Sequence, residues 1–220
     1  MAEKKYGIVY EDEQLLVIDK PSGMLVIPTP KKETNTLTDL LNRDLDSRGI
    51  EANAYPCHRL DRETSGIIVY AKGKAAQQFM MDEFKRRAVK KTYIAFAQGA
   101  VKGPSGTITR NIYDKSKGRS IPAVTKYKVT ERKGGFSVME VEPVTGRTNQ
   151  IRIHLKDIGH PIVGESVYAF RKDYKLRFKR VALHAKRLEF KHPVTGERMA
   201  FESPLPIDME NFLLTKHDSL

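Results

Sequence analysis

The sequence predicts an α+β protein: a single domain with a mostly antiparallel mixed sheet flanked by helices. Short β-rich runs outnumber helical segments, and several are joined by tight turns rather than through a helix. The 220 residues are enough for one good hydrophobic core but too few for two comfortable ones. Because no internal repeat, low-complexity linker or clean boundary interrupts them, we expect one domain over 1–220.

The first half of the chain is expected to supply four strands and two helices. Apolar, β-prone runs predict strands at 8–10, 15–19, 24–27 and 66–71, the last of them buried. A helix is predicted over 34–48, where Thr36 can cap the N-terminus and leucines recur at helical spacing. A second helix is predicted over 74–87, with one apolar stripe and a cationic last turn that suits the helix dipole.

The second half is expected to be richer in hairpins. A strand is predicted over 92–97, and the Gly134-Gly135 turn joins two further strands at 125–130 and 136–141. A helix over 148–158 is expected to end at Gly159. A terminal hairpin is predicted from alternating apolar residues near 188–190 and 199–201, joined by the turn 193–196.

The charge balance favours a polyanionic partner. Lys and Arg total 39 against 27 acidic residues, a net charge of +12, and such a surface attracts nucleic acid at long range. A basic protein with no nucleic-acid role is the alternative, and an anionic membrane surface is a weaker third one because no long amphipathic basic helix is present. No apolar run is long enough to cross a bilayer, and the N-terminus has no secretory signal. The single Cys fits a reducing compartment, so the cytoplasm is the expected location.

A dense polar cluster, Cys57 to Gly66 (CHRLDRETSG), runs directly into the predicted buried strand. Polar residues at the mouth of a core strand are held rigidly, as a catalytic group must be. Asp61 lies between Arg59 and Arg62, and cations nearby keep a carboxylate ionised at neutral pH. An ionised carboxylate can act as a nucleophile or base. The alternative is a structural Asp–Arg ion pair in a loop that leads into the strand.

A second cluster, Pro143 to Leu155, contains a glycine turn followed by the start of a helix. Arg147 and the free N–H groups of that helix would form an anion site. The alternative is a capped surface helix whose arginines are solvated. The six histidines are scattered and no CxxC or HExxH motif is present, so no metal site is expected.

The chain resembles the RluA-type family of RNA pseudouridine synthases in three segments that occur in the family's order: HRLDRETSG, GRTNQIRIHL and GHPIVGESVY. Three further segments are similar to that family: the turn 19–24 (DKPSGM), the run 91–95 (KTYIA) and the run 182–185 (ALHA) followed by a terminal hairpin. The resemblance covers about residues 7 to 206. It implies the pseudouridine synthase fold, with RNA as the partner and no metal or organic cofactor.

The resemblance also assigns roles to individual residues. Asp61 matches the family's essential aspartate, and Tyr93 matches the tyrosine that stacks on the target base. Arg147 matches the basic residue that pairs with the aspartate, and Arg59 matches an arginine implicated in filling the gap left by the flipped uridine. One departure is Asn149, where many members have His, because Asn cannot be protonated and a proton-transfer role there is not expected.

A basic run over 171–180 (RKDYKLRFKR) suits contacts with RNA phosphates and stacking on bases, although a solvated charged loop or helix face is the alternative. The residues predicted to bind RNA are Arg59, Arg62, Arg152, Arg171, Lys172, Lys175 and Arg177.

The predicted activity is isomerisation of specific uridines in structured rRNA or tRNA. The reacting atoms lie within the base stack, so the nucleotide must be flipped out, which costs least in a stem-loop. We expect a monomer with no separate N-terminal RNA-binding module. The rival from another class is a catalytically silent RNA-binding or ribosome-assembly factor on the same fold.

Overall fold

The structure, a computed structural model, describes residues 5–169 and 176–215 and contains two compact units. The first unit comprises residues 5–90 and 185–204, and the second comprises residues 91–169, 176–184 and 205–215. Each unit combines antiparallel strands with two helices, which confirms the predicted α+β class. The expectation of one domain stays a prediction.

The described residues form ten strands and four helices. The strands are β1 (Gly7–Glu11), β2 (Leu15–Lys20), β3 (Tyr55–Pro56), β4 (Ser65–Ala71), β5 (Lys90–Gln98), β6 (Ser105–Asp114), β7 (Arg119–Lys133), β8 (Phe136–Pro143), β9 (Leu183–Lys191) and β10 (Arg198–Glu202). The helices are α1 (Leu37–Ser47), α2 (Lys74–Lys85), α3 (Gln150–Asp157) and α4 (Ile207–Thr215).

The first unit is built around β4, in which all seven residues are buried. Strand β2 pairs antiparallel with both β1 and β4, β3 pairs with the end of β4, and β9 lies beside β4 and pairs with β10. Alternate side chains of these strands meet the apolar stripe of α2 in one core. Its buried members are Leu15, Val17, Cys57, Ile67, Val69, Ala71, Ala76, Met80, Val89, Leu188 and Phe190.

The prediction of a strand over residues 24–27 was wrong. The carbonyl oxygens of Leu25 and Val26 accept hydrogen bonds from the N–H groups of Leu37 and Thr38, at 2.8 and 3.2 Å. The backbone carbonyl groups of this segment therefore accept hydrogen bonds from the N–H groups in the first turn of α1, which have no partner within the helix, instead of pairing with a strand. Thr36 caps α1 as predicted, in a reciprocal capping box with Asp39.

The second unit contains a four-stranded antiparallel sheet in the order β5-β8-β7-β6. Aromatic rings form its core: Phe96 from β5 and Phe136 from β8 each contact Phe212 of α4, with ring centroids 6.0 and 5.2 Å apart. Neither α4 nor β6 was predicted from the sequence. Strand β7 is also longer than predicted, because it spans Arg119–Lys133 and the prediction covered only 125–130.

All three predicted helices are slightly shorter than expected, and for α2 and α3 the reason is a non-glycine residue that adopts a left-handed backbone conformation. Helix α2 ends at Lys85, and Arg87 then has a φ of 62°. Helix α3 begins at Gln150, because Asn149 has a φ of 54°. Asn is among the residues that tolerate this region. Within the described part of the chain, no helix is long and apolar enough to cross a membrane.

Candidate active site

Asp61 lies in the turn that immediately precedes β4. The turn is closed by a hydrogen bond from the N–H of Thr64 to the carbonyl oxygen of Asp61, at 3.1 Å. The loop before it is fixed to the same strand, because the Cys57 N–H donates to the carbonyl of Val69 and the Val69 N–H donates to the ring of His58. The half-buried carboxylate is therefore carried by a rigid part of the first unit.

The turn at 20–24 braces the Asp61 loop from the other side. The backbone N–H of Gly23 donates to the carbonyl of Arg62 at 2.8 Å, and Arg62 returns a bond from its Nε to the carbonyl of Gly23 at 3.0 Å. The Ser22 hydroxyl donates to the carbonyl of Glu63 at 2.7 Å. These bonds join two segments about forty residues apart and anchor the two residues that follow Asp61.

Lys20 is fully buried at the base of this turn. Its ammonium donates to the carbonyl oxygens of Pro21, Met24 and Arg62, at 2.9, 3.0 and 3.3 Å. A buried charge is tolerated only when hydrogen bonds replace its water shell. Lys20 thus stabilises the turn and places a positive charge beneath the Asp61 loop.

Tyr93 and Arg147 lie at the same end of the β5–β8 pair in the second unit. Tyr93 is opposite Val141, two residues before β8 ends at Pro143, and Arg147 lies in the turn that follows. Tyr93 is 9% exposed. Lys91, two residues earlier on the same face of β5, brings its ammonium to 3.8 Å from the position a Cβ on Gly146 would occupy. Desolvation lowers the pKa of Lys91 to about 8.

The turn that carries Arg147 is organised by the buried amide of Gln150. Its Oε1 accepts from the backbone N–H of Arg147 at 3.0 Å and from the hydroxyl of Thr145 at 2.6 Å. Its Nε2 donates to the Val124 carbonyl and the Thr125 hydroxyl, both at 2.9 Å. All hydrogen-bonding groups of the amide are thereby used to fix the turn. The partly exposed guanidinium of Arg147 donates from Nε to the carbonyl of Pro122, at 3.2 Å.

Asn149 lies in a network with three neighbours. Its Nδ2 donates to the hydroxyl of Tyr168 at 2.8 Å, and its Oδ1 accepts from Arg152 at 3.2 Å. The Glu165 carboxylate accepts from Arg152 and from the backbone N–H groups of 166–168. Burial would raise the pKa of Glu165, but the bonds from Arg152 and the backbone outweigh it and hold the pKa below its usual value. This carboxylate therefore stays ionised and holds the segment after Gly164.

The structure brings Arg59, Asp61 and Arg62 together in one loop, with the side chains of both arginines exposed. Arg177 is also exposed. Arg171, Lys172 and Lys175 lie outside the described residues.

Three residues predicted to contact RNA form contacts inside the second unit. Arg152 is buried in its ion pair with Glu165, so we do not carry it into the RNA-binding set. In the basic run, Phe178 packs edge-on against Phe212. Arg180 forms a bidentate ion pair with Asp208 of α4, at 2.7 and 2.9 Å. Residues 178 and 180 therefore stabilise the unit, and the solvated-loop alternative does not describe them.

Sequence reasoning did not assign roles to Lys20, Gln150 or Glu165. All three belong to motifs that were noted, DKPSGM, GRTNQ and GHPIVGESVY. The motifs gave no role for Glu165, because its partner Arg152 lies 13 residues away in a different motif. Within residues 5–169 and 176–215, no group of three or more His, Cys, Asp and Glu side chains has the arrangement of a metal site.

The chain is similar to RNA-modifying enzymes over almost its whole length. The sequence model of the family described as RNA pseudouridylate synthase matches residues 14–157. The chain is 37% identical over 227 residues to the uncharacterized RNA pseudouridine synthase YhcT of Bacillus subtilis, covering 96% of this chain and 73% of that protein. It is 38% identical over 223 residues to ribosomal large subunit pseudouridine synthase D of Neisseria meningitidis, covering 94% of this chain and 60% of that relative.

Solved structures agree with this similarity. Human RNA pseudouridylate synthase domain containing 4 superposes with a TM-score of 0.80 at 26% identity, over 94% of this chain and 92% of that one. Human RNA pseudouridylate synthase domain containing 1 gives a TM-score of 0.74 at 25% identity, over 97% and 95% of the two chains. The expected pseudouridine synthase fold is confirmed.

These findings define the class of protein, an isomerase that modifies RNA. The chain belongs to the RNA pseudouridylate synthase family, and the RluA-type assignment made from its motifs is confirmed.

Proposed function

We propose that this protein isomerises specific uridines in ribosomal or transfer RNA, with Asp61 as the nucleophile or base and Tyr93 and Arg147 acting on the same nucleotide. The observation that carries the proposal is the anchoring of the Asp61 turn at the mouth of β4, braced by the turn at 20–24. A reacting carboxylate must hold its position, and hydrogen bonds on both sides of this loop restrict it.

The reaction needs no oxidant and no activated water. The N1–C1′ bond of uridine breaks, the uracil rotates, and a new bond joins C5 to C1′. C5 then loses its proton and N1 gains one. Asp61 can attack C1′, add to C6 of the base, or remove the 2′ proton to give a glycal, and each route requires an ionised carboxylate.

The other two residues are assigned by the environment each occupies. Tyr93 is nearly buried on a rigid strand, so its ring can stack on the detached uracil with little loss of side-chain freedom. Arg147 is held through its Nε on the Pro122 carbonyl, which leaves its two terminal amino groups to balance negative charge at the reacting nucleotide.

The substrate that we favour is a stem-loop of large-subunit ribosomal RNA, acted on in the cytoplasm by a monomer. The name of the Neisseria meningitidis relative supports the large ribosomal subunit. A target in a loop supports base flipping, because a base without a pairing partner is extruded at least cost. We assign the first contacts with RNA phosphates to Arg59, Arg62 and Arg177, which are exposed, and to Arg171, Lys172 and Lys175.

Two substitutions of Asp61 test the proposal, Asp61→Ala and Asp61→Asn. The purified full-length chain and each variant would be incubated with 5-tritiated transcripts of ribosomal and transfer RNA, and tritium release from C5 would be measured. We expect release by the parent chain from at least one transcript and none by either variant, while RNA binding persists. Asp46→Asn is the matched control, because Asp46 is an exposed carboxylate on α1.

Tritium release by either Asp61 variant at the parent rate would refute the assignment of this residue. A parent chain that binds RNA yet releases no tritium from any transcript would instead favour the silent RNA-binding factor. If the parent chain does release tritium, pseudouridine mapping in cells that lack the gene would identify the uridine that goes unmodified.

A further inference from the structure

Asn149 directly precedes helix α3 but does not cap it. The φ of 54° and ψ of 22° of this residue lie in the left-handed region, and its side chain makes no hydrogen bond to the first turn of the helix. A residue in this position is normally extended and uses its side chain to accept from a free N–H of that turn. The amide of Asn149 therefore serves something other than the helix that it precedes.

The amide instead joins the Arg147 turn to the segment that follows Gly164. Its Nδ2 donates to the hydroxyl oxygen of Tyr168 at 2.8 Å, and its Oδ1 accepts from Nη1 of Arg152 at 3.2 Å. Tyr168 lies 19 residues further along the chain. The hydrogen bond to Tyr168 therefore connects two segments that are close only in the folded chain.

Tyr168 is itself held by its backbone, its ring and its hydroxyl. Its backbone N–H donates to the Glu165 carboxylate at 3.2 Å, and the guanidinium of Arg152 lies over its ring, 5.3 Å from the centroid. Arg152 and Glu165 form the buried ion pair described above. Hydrogen bonds therefore connect four residues in a closed circuit, which we call the Asn149 network: Asn149, Tyr168, Glu165 and Arg152.

The two sides of the Arg147 turn are fixed by different amides. The Gln150 amide binds the N–H of Arg147 and the carbonyl of Val124, which fixes the turn to β7. The carbonyl of Arg147 accepts from the backbone N–H of Gln150 at 3.1 Å, which closes the turn. The left-handed conformation within it is unfavourable for a residue with a side chain, and the Asn149 network holds Asn149 in that conformation.

The hydrogen bond between Asn149 and Tyr168 contributes direction more than stability. Both residues are half-buried, and water can replace a hydrogen bond at such a position at little cost. Bonds at both ends of the amide nevertheless fix the backbone of Asn149, two residues from Arg147. A guanidinium that acts on a reacting nucleotide must stay close to one geometry, because small displacements lower the rate. The network therefore supplies what the proposed role of Arg147 requires.

We propose that Asn149 and Tyr168 are positioning residues, which hold the turn of Arg147 so that its guanidinium stays directed at the reacting nucleotide. The inference rests on the proposed function, since it takes Arg147 to act on that nucleotide. Neither positioning residue is assigned a contact with the substrate. The rival interpretation is a direct contact of Tyr168 with RNA, which would affect binding and not the rate at saturation.

Two substitutions remove the hydrogen bond from its opposite ends. Tyr168→Phe keeps the ring beside Arg152 and removes the hydroxyl that accepts from Asn149. Asn149→Gly removes the amide and leaves a residue that adopts a positive φ without strain, so the turn itself is not disfavoured. Tritium release would be measured on the 5-tritiated transcript that the parent chain modifies fastest, to give kcat and KM. Filter binding would give the Kd for the same RNA.

Tyr10→Phe and Asn35→Gly are the matched controls, both in the first unit. The Tyr10 hydroxyl donates to Asp12 at 2.7 Å. Asn35 has a φ of 61°, and its side chain accepts from Arg43 at 2.7 Å. Each control therefore removes a hydrogen bond of the same kind, from a tyrosine or from a left-handed asparagine, at a place unconnected with the Arg147 turn.

We expect Tyr168→Phe and Asn149→Gly each to lower kcat about tenfold and to leave KM and Kd within about twofold of the parent values. A displaced guanidinium stabilises the transition state less, whereas the bound RNA is held as before. The double variant should be no slower than the slower single variant, because both changes remove one hydrogen bond. The control variants should retain the parent kcat.

The parent kcat in either Tyr168→Phe or Asn149→Gly would overturn the inference. A raised Kd with an unchanged kcat in Tyr168→Phe would overturn it as well, in favour of a direct RNA contact. Circular dichroism and melting temperatures would check that each variant is folded. Both site variants are expected to fold, because one keeps the ring volume and the other suits the backbone.

The position of the guanidinium can also be followed without any reaction. The Nε–H of Arg147 donates to the carbonyl of Pro122, so its signal in a proton–nitrogen NMR spectrum reports that contact. The signal would be assigned by its loss in Arg147→Lys. We expect both site variants to shift or broaden it and both control variants to leave it unchanged. An identical signal in the parent chain and in all four variants would overturn the inference.

Failure of this inference and failure of the proposed function give different results. If the parent chain releases tritium and either site variant does so at the parent kcat, only the positioning role is refuted. If the site variants change the Arg147 signal while the parent chain releases no tritium from any transcript, the positioning role stands and the enzymatic proposal fails.

Discussion

The guanidinium of Arg152 donates two parallel hydrogen bonds, each 2.8 Å long, to the two carboxylate oxygens of Glu165. Both side chains are almost inaccessible, with exposures of 9% and 1%. The pair joins α3 to the segment after Gly164, and Glu165 also accepts three backbone N–H groups there.

Glu165→Ala is expected to lower the free energy of unfolding by about 3–5 kcal/mol, because it leaves the guanidinium of Arg152 buried without its partner. Urea unfolding followed by circular dichroism would measure the loss. Replacing both partners together, Arg152→Met with Glu165→Leu, should cost less, because no unpaired guanidinium remains, although the backbone N–H groups of 166–168 still lose their acceptor. The exposed pair of Arg187 and Glu202 is the control, since Arg187→Ala should cost no more than about 1 kcal/mol. A Glu165→Ala loss as small as the Arg187→Ala loss would contradict the prediction.

Gly66→Ala is expected to destabilise the protein by at least about 3 kcal/mol. A Cβ at Gly66 would lie 2.2 Å from the carbonyl oxygen of Ala185, and the φ of 108° disfavours any side chain. Gly196→Ala isolates the backbone effect, because Gly196 has a φ of 71° and no atom within 4 Å of the added carbon. Its cost should be about 1 kcal/mol. Similar melting temperatures for the two variants would contradict this prediction, because they would show that the close approach to Ala185 adds no loss of stability.

His154 is expected to make the protein less stable in mild acid. It is fully buried on α3, and within the described residues neither ring nitrogen has a hydrogen-bond partner. Desolvation lowers its pKa, opposed in part by the nearby Arg110 backbone and Asp157. The unfolded chain therefore binds a proton that the folded chain resists, so stability falls as the pH drops below about 6.5.

The slope of that loss can reach about 1.4 kcal/mol per pH unit. Urea unfolding of the parent chain and of His154→Leu at pH 5 and pH 7.5 would measure it. The variant should lose less stability than the parent chain between these two values. Equal losses in both chains would assign the acid sensitivity to other groups.

Lys91 is expected to act in the opposite pH range. Desolvation lowers its pKa from 10.5 to about 8, so between these values the unfolded chain carries a proton that the folded chain has released. Stability contributed by this group therefore rises as the pH increases from 8 to 10.5. Lys91→Met should remove that rise in unfolding experiments, with Lys90→Met, an exposed neighbour, as the control. A rise of equal size in the Lys91 and Lys90 variants would refute the assignment.

Much of the first unit could be predicted from sequence, because the deciding signals are local. The run at 66–71 has the composition of a buried strand, and Thr36 followed three residues later by Asp39 forms the capping box. Residues 24–27 are similarly apolar, but the strand predicted from them does not form. Their partner is the N-terminus of α1, and a run of apolar residues does not specify what its backbone will bond to.

The sequence by itself determined the family and the identity of the residues expected to react, because those motifs are contiguous in the chain. Only the tertiary structure decided how the surrounding charges are used. The ammonium of Lys20 donates to the carbonyl oxygen of Arg62, 42 residues away, and the guanidinium of Arg152 pairs with the carboxylate of Glu165, 13 residues away. The β6–β7 hairpin leaves Lys117 and Arg119 in solvent. A side chain's role follows from the polar atoms that folding brings within hydrogen-bonding distance, and those atoms come from parts of the chain that no local pattern connects.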